Sequence, residues 1–251
     1  GAIMNSGAVE IVNSTIHNNG ADIGGGIYNN SDAILTVTNV TISGNTGVGG
    51  GGGIHNDGLL LLDNTILSGN MSSSSGSDLE NTSLLGSRLG TSEPTNNLIE
   101  APVGHTIANG MDGNIVGTPA LLEPLSDNGG PAPTMIPSME SPAIHTGNDL
   151  VANNAGLQVD QRGWPRFMGP VDIGAVEVED YYSYDEPEID VTYDGLGNQH
   201  EVDFGGVVTN DTKTFYVQVN NYGDADLIVS DISGLESPFR YQLYDSSSAM
   251  D

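Results

Sequence analysis

The chain has 251 residues, enough for one or two domains, with no cysteine and 5 Lys and Arg against 33 Asp and Glu, a net charge of −28. Disulfides and thiolate metal sites are therefore excluded, and so anionic a surface repels nucleic acid and anionic membranes while attracting cations. Hydrophobic content is low at 37%, but 35 glycines point to turns rather than to missing structure. There is no apolar run long enough to span a membrane and no secretory signal pattern.

Taken from the start, residues 1–70 repeat one sentence three times. GGGIYNNSDAILTVTNVTISGN (24–45) aligns with GGGIHNDGLLLLDNTILSGN (51–70), and GAIMNSGAVEIVNSTIHNN (1–19) gives the same line again. Apolar residues hold register at Ile3/Ile27/Ile54, Ile11/Val37/Leu62 and Ile16/Ile42/Leu67. Asparagines do so at Asn5/Asn29/Asn56, Asn13/Asn39/Asn64 and Asn19/Asn45/Asn70. A period in the range of 20 to 50 residues means a solenoid. The apolar runs are short, alternate with polar residues and are rich in Val, Ile and Thr, which is strand patterning. Gly and Asn suit the corners because they tolerate left-handed backbone. The expected fold is all-β: a right-handed parallel β-helix, with asparagines stacked from coil to coil as in cross-β ladders. The chain opens inside a repeat, so the first coil has no cap in the sequence. That predicts either a longer parent protein or a second copy stacked there.

After the regular coils, a serine run (Met71 to Asp78) interrupts the repeat, and residues 71–158 read as irregular coils and loops. Short apolar pairs mark them: Leu84-Leu85, Leu98-Ile99, Ile115-Val116 and Leu121-Leu122. NGMDGN (109–114) resembles half of a calcium loop without its spacing or terminal Glu, and a plain turn fits it better. Asp112, Asn114 and Asp127 are nevertheless the candidate metal ligands, with calcium as the candidate ion.

The next stretches are more specific. LLEPLSDNGGPAPTMIPSMESPAIHTGN (121–148) and VDQRGWPRFMGPVDIGAVE (159–177), preceded in order by NTILSGN (64–70) and GSDL (76–79), resemble the choice-of-anchor Q proteins. The resemblance covers roughly residues 1–177. It implies export, a bacterial surface location and a β-helix, and carries no characterised activity. Within it, residues 159–177 read as a C-terminal cap on the last coil. Arg162 and Arg166 lie close to Asp160 and Asp172, where guanidinium can bridge carboxylate, and Trp164 supplies an apolar lid. Residues 180–187 read as an acidic, tyrosine-rich linker. From residue 188 to about 244 the chain resembles the start of a choice-of-anchor D or hydin-like immunoglobulin domain. Val202, Phe204, Phe215, Val217 and Val219 alternate there as strand residues do. A full sandwich takes about 100 residues, so the module at 188–251 reads as incomplete.

Function follows by elimination. A polysaccharide lyase needs a cationic site for the enolate and a basic proton acceptor, but residues 1–78 hold no Lys or Arg. A glycosidase needs two facing carboxylates, but Glu10, Asp32 and Asp63 are isolated. His17 and His55 fall at outward positions matched by Ser43 and Tyr28 and read as surface residues. The expected protein is not an enzyme. It is an extracellular structural or cell-surface β-helix, self-associating as a filament or sheath subunit, or else an adhesin or carbohydrate binder contacting cell surface or matrix.

Overall fold

A computed structural model describes residues 1–178 except 92 and 168, and two later strands, 189–193 and 217–221. The chain divides into two units, Gly1–Glu179 and Asp180–Asp251. The first is a parallel β-solenoid of about three full turns with partial rungs beyond them.

Each turn is built alike. β1 (Ile3–Asn5), β4 (Ile27–Asn29), β7 (Ile54–Asn56) and β11 (Leu79–Asn81) stack as one parallel sheet. β2 (Ala8–His17), β5 (Ile34–Ser43), β8 (Leu59–Asp63), β9 (Ile66–Ser68), β12 (Leu84–Gly86), β13 (Leu98–Ile99) and β14 (Ile115–Val116) form a bent second sheet. β3 (Gly20–Ala21), β6 (Thr46–Gly47) and β10 (Met71–Ser72) close the turn. The register is the one read from the repeats: Ile3 pairs Ile27 and then Ile54, Ile11 pairs Val37 and then Leu62, and Ile16 pairs Ile42 and then Leu67. Those side chains make the core, where Ile27, Leu35, Val37, Val40, Ile42, Ile54, Leu60 and Leu62 are fully buried. The GGG runs answer a close approach. A Cβ on Gly25 would lie 2.5 Å from the Gly52 carbonyl of the next turn.

The bend in the second sheet sits at Asn13, Asn39 and Asn64, all in left-handed backbone with φ of 44°, 52° and 47°. Asn96 continues the row at φ 51°. The repeat therefore runs further than residue 70, and Leu79, Leu84-Leu85 and Leu98-Ile99 carry a fourth rung.

Two expectations are corrected. First, residues 159–177 do not cover the last coil. Gln161 bonds Thr15, Arg166 bonds Asn13, and Ala175 bonds Thr41, so the segment lies along the flank of the first coils. Trp164 stacks on Arg162 at 4.0 Å and stays 37% exposed; it is no lid. Second, the residues leading into this segment, which form one strap with it from about residue 141, carry a short helix, α1 (Asp149–Asn154), in a chain read as wholly β. Asn148 caps it by accepting from the amides of Leu150 and Val151, and Gly156 in left-handed backbone follows it.

In the second unit, β15 (Ile189–Tyr193) and β16 (Val217–Asn221) pair antiparallel, with Val191 opposite Val219. The remainder of the expected immunoglobulin-like sandwich, with Val202, Phe204 and Phe215, lies outside the described residues. Among the described residues, no helix is long and apolar enough to cross a membrane.

Candidate functional site

The outward face of the first sheet holds the densest exposed constellation of chemistry. Strand register stacks Met4, Tyr28, His55 and Glu80 in consecutive rungs, because side chains two apart along a strand share a face and the central residue of each three-residue strand points out. The Tyr28 and His55 rings tilt against each other with centroids 5.4 Å apart. Two residues past His55, at the corner, Asp57 accepts from Tyr28 Oη at 2.8 Å and from Thr82 Oγ1 at 2.6 Å, and lies 3.1 Å from His55 Nε2. On the other side Glu80 Oε2 lies 3.9 Å from His55 Nδ1, while Ser75 Oγ donates to Glu80 Oε1 at 2.8 Å.

The electrostatics follow from these bonds. Burial works against ionising Asp57, but the hydrogen bonds from Thr82 and Tyr28 and the neighbouring His55 outweigh it, and its pKa is lowered. The bond to Asp57 in turn raises Tyr28, with burial adding to it. His55 is thus not the plain surface residue read from the sequence; it is flanked by two carboxylates. The signal was present as His55-x-Asp57 and as the rung Tyr28/His55/Glu80. Seeing it required knowing that the repeat extends to Leu79–Asn81.

Beside this cluster, Ser31, Asp32, Ala33, Ile34, Asp57, Gly58, Leu59, Ser83 and Leu84 line an open groove of about 280 Å³. Its apolar floor is exposed at Ile34 and Leu84.

The candidate calcium ligands each take part in the local structure. Asn114 is buried and spent on the stack: its Oδ1 accepts from Asn97 N and Nδ2, and its Nδ2 donates to the carbonyls of Pro94 and Met111. Asp112 takes left-handed backbone at the next corner, as a plain turn residue does. Asp127 lies in the loop before Gly129 and accepts from its amide. Among the described residues, no group of three or more His, Asp or Glu side chains converges to hold a metal ion.

The second concentration of charge is internal. Asp160, Arg162, Arg166, Asp172 and Glu177 are all buried under or within the strap. Arg162 pairs Asp160 at 2.8 Å, and its Nη2 donates to the Glu177 carbonyl. Arg166 pairs Glu177 at 3.1 Å and donates to Asn13 Oδ1 at 2.8 Å and to the Gly174 carbonyl at 3.0 Å. Burial, then the charge of Asp172, pushes Glu177 up to about 8 against the pull of Arg166. With every guanidinium closed on protein oxygens, this cluster ties the strap to the coils.

No family model, curated protein or solved structure matches the chain.

Proposed function

We propose that this chain is an extracellular structural protein of the choice-of-anchor Q type, a cell-surface β-solenoid that self-associates and performs no catalysis. The observation that carries the reading is how the solenoid uses its scarce cations. Arg88 crosses the coils to pair with Glu10 while its amide bonds Asp63, and Arg162 and Arg166 are buried in the strap. The cationic groups of residues 1–178 are thereby occupied in holding the fold, and the charge they leave outside is anionic. A lyase-type enolate has no cationic partner in such a surface. Stacked coils are suited to end-to-end addition, and a heterologous contact that does not close propagates as an open filament.

The full chain examined by electron microscopy should give ordered polymers, and it should release no reducing sugar from a panel of plant and bacterial polysaccharides. Monodisperse monomers at high concentration contradict self-association, and sugar release contradicts the non-catalytic reading. The groove at Ser31, Ile34, Asp57 and Leu84 favours a second reading, a carbohydrate-binding adhesin, since it joins an apolar floor to hydroxyl and carboxylate rims. Retention on immobilised polysaccharide by monomers distinguishes it.

A further inference from the structure

The groove at Ser31, Ile34, Asp57 and Leu84 arises from a difference in corner length. Two residues separate Asn5 from Ala8, Asn56 from Leu59 and Asn81 from Leu84, but four separate their register partners Asn29 and Ile34. The second corner thus carries a two-residue insertion, turned by Asp32 in left-handed backbone at φ 66°. This ledge folds onto the next corner. Leu59 N donates to the Ala33 carbonyl, and a Cβ on Gly58 would lie 2.4 Å from that oxygen and 2.5 Å from the Asn30 carbonyl. Along the groove, Ile34, Leu59 and Leu84 repeat one outward apolar position in three consecutive rungs, about 4.8 Å apart. The same groove is lined by Asp32, which is exposed, and by Asp57. At Asp57, burial is outweighed by hydrogen bonds from Thr82 and Tyr28 and by His55, so its pKa is lowered and it stays ionised. No Lys or Arg occurs in residues 1–87, and Arg88 is paired with Glu10. Ionised carboxylates only accept. An occupant therefore has to bring an apolar face, several donors and positive charge.

We propose that this groove binds a glycan carrying free amino groups, laid along the solenoid axis. A polymer of like units fits a wall that offers one apolar side chain per rung. The C–H face of the sugar rings covers Ile34, Leu59 and Leu84, while ammonium and hydroxyl groups donate to Asp32 and Asp57 in charge-assisted bonds. The same carboxylates reject a uronic polysaccharide, and a neutral glycan forgoes the charge. The inference rests on the carbohydrate-binding reading of the groove and narrows it to one chemical class; it does not depend on self-association.

The test follows the methyl resonances of Ile34, Leu59 and Leu84 in the full chain as soluble oligomers are added at pH 6 and low salt, with calorimetry giving affinities. An oligomer of β-linked glucosamine should shift those methyls and bind at one site. Its N-acetylated counterpart, which shares the backbone and lacks the charge, should bind about tenfold more weakly, oligogalacturonate should not bind, and added salt should weaken the glucosamine complex. Asp32→Asn keeps a residue that tolerates left-handed backbone, and Leu84→Thr keeps a strand former; each should weaken binding about tenfold. Deleting Ser31 and Asp32 shortens the corner to the length of its neighbours and should abolish binding. An N-acetylated oligomer that binds as tightly at the same methyls leaves the carbohydrate reading standing and overturns the amino-sugar assignment. No methyl shift with any oligomer overturns both. Glucosamine binding that none of the three variants changes is attraction to the whole anionic surface, and it overturns the groove as the site. Tighter binding of a capped Lys-Leu-Lys-Leu-Lys peptide at these methyls assigns the groove to a basic protein segment and overturns the proposal too. Should the variants fail to fold, the comparison of the two glucosamine oligomers on the wild type decides.

Discussion

Two kinds of asparagine row hold this solenoid, and they differ in where their bonds go. Asn5, Asn29, Asn56 and Asn81 bond one another at 2.8, 2.6 and 2.7 Å, each amide donating to the next carbonyl oxygen. Asn19, Asn45 and Asn70 do the same and end on Asp78, whose Oδ1 accepts from Asn70 Nδ2 at 2.8 Å. These ladders are internal to the repeat. The row at Asn13, Asn39, Asn64 and Asn96 has left-handed backbone and turns its side chains outward to the strap. Asn13 reaches Val159 and Arg166, Asn39 reaches Asp172 and Gly174, Asn64 exchanges bonds with Asn148, and Asn96 donates to Thr146. The same residue type at the same period thus does two jobs, stacking coils in two rows and, in the corner row, where Asn64 also donates to Asn39, receiving a distant segment. A buried amide needs its bonds satisfied, so the strap is a condition for Asn39 and Asn64 to be fully buried. Gly174 marks how closely it comes: a Cβ there would sit 2.7 Å from Ile66 Cδ1.

The comparison can be broken from either side. The largest effect belongs to the strap. Arg166→Ala leaves Glu177 and its carboxylate neighbours without their buried partner and strips Asn13 of two donors. Loss of one partner of a buried pair costs about 3–5 kcal/mol, measured by urea unfolding. Next comes the ladder. Asn45 donates to Asn70, Ile16 and Ser43 and accepts from Asn19, all in the interior. Asn45→Ala should cost ~1–3 kcal/mol, and Asn39→Ala a similar amount, but with Asn39 the loss should also raise proteolysis within residues 141–178.

The pH dependence is smaller and sharpens the contrast. Glu177 is raised from 4.5 to about 8, first by burial, so the folded state holds its proton more tightly than the unfolded chain does. Its stabilising contribution is complete below pH 4.5 and is lost as pH rises to about 8. Melting at pH 5 should therefore exceed melting at pH 8, with Glu177→Gln flattening the upper part of that slope. Asp78, which ends the ladder, is raised by burial from 3.8 to about 6, against hydrogen bonds from Asn70 and Ala101. It loses its contribution between those values, so Asp78→Asn should remove the dependence near pH 5. That change also turns an amide toward the Ala101 N–H, costing about one hydrogen bond.

Period and strand patterning made the coils legible, because each turn must place the same side chain over its neighbour. They yielded the register of Ile3, Ile27 and Ile54 and all three asparagine rows. They lost the trail after residue 70 because the glycines of GGGI give way to Ser77 and Asp78, and the corner is displaced to Asn96 by the loop at 87–94. The strap stayed hidden for another reason. Its contacts join residues 50 to 153 apart, as from Asn96 to Thr146 and from Asn13 to Arg166, and no periodicity records such pairs. α1 had local signals in Asn148, Asp149 and Gly156, but six residues are too few for an apolar stripe. The His55 cluster was divided between two rungs, one of them in the part where the repeat fades.

Native-state hydrogen exchange tests the central claim, that strap and coils are one cooperative structure, most directly. The amides of Asn45 and Asn70 are bonded by Asn70 and Asp78 of the ladder, and those of Gly174 and Ala175 by the strap's attachments to Asn64 and Thr41. If Asn39 and Asn64 are buried only because the strap is docked, both sets should open with the same free energy, equal to that of global unfolding. Strap amides that exchange several kcal/mol more easily while the ladder amides stay protected would contradict it.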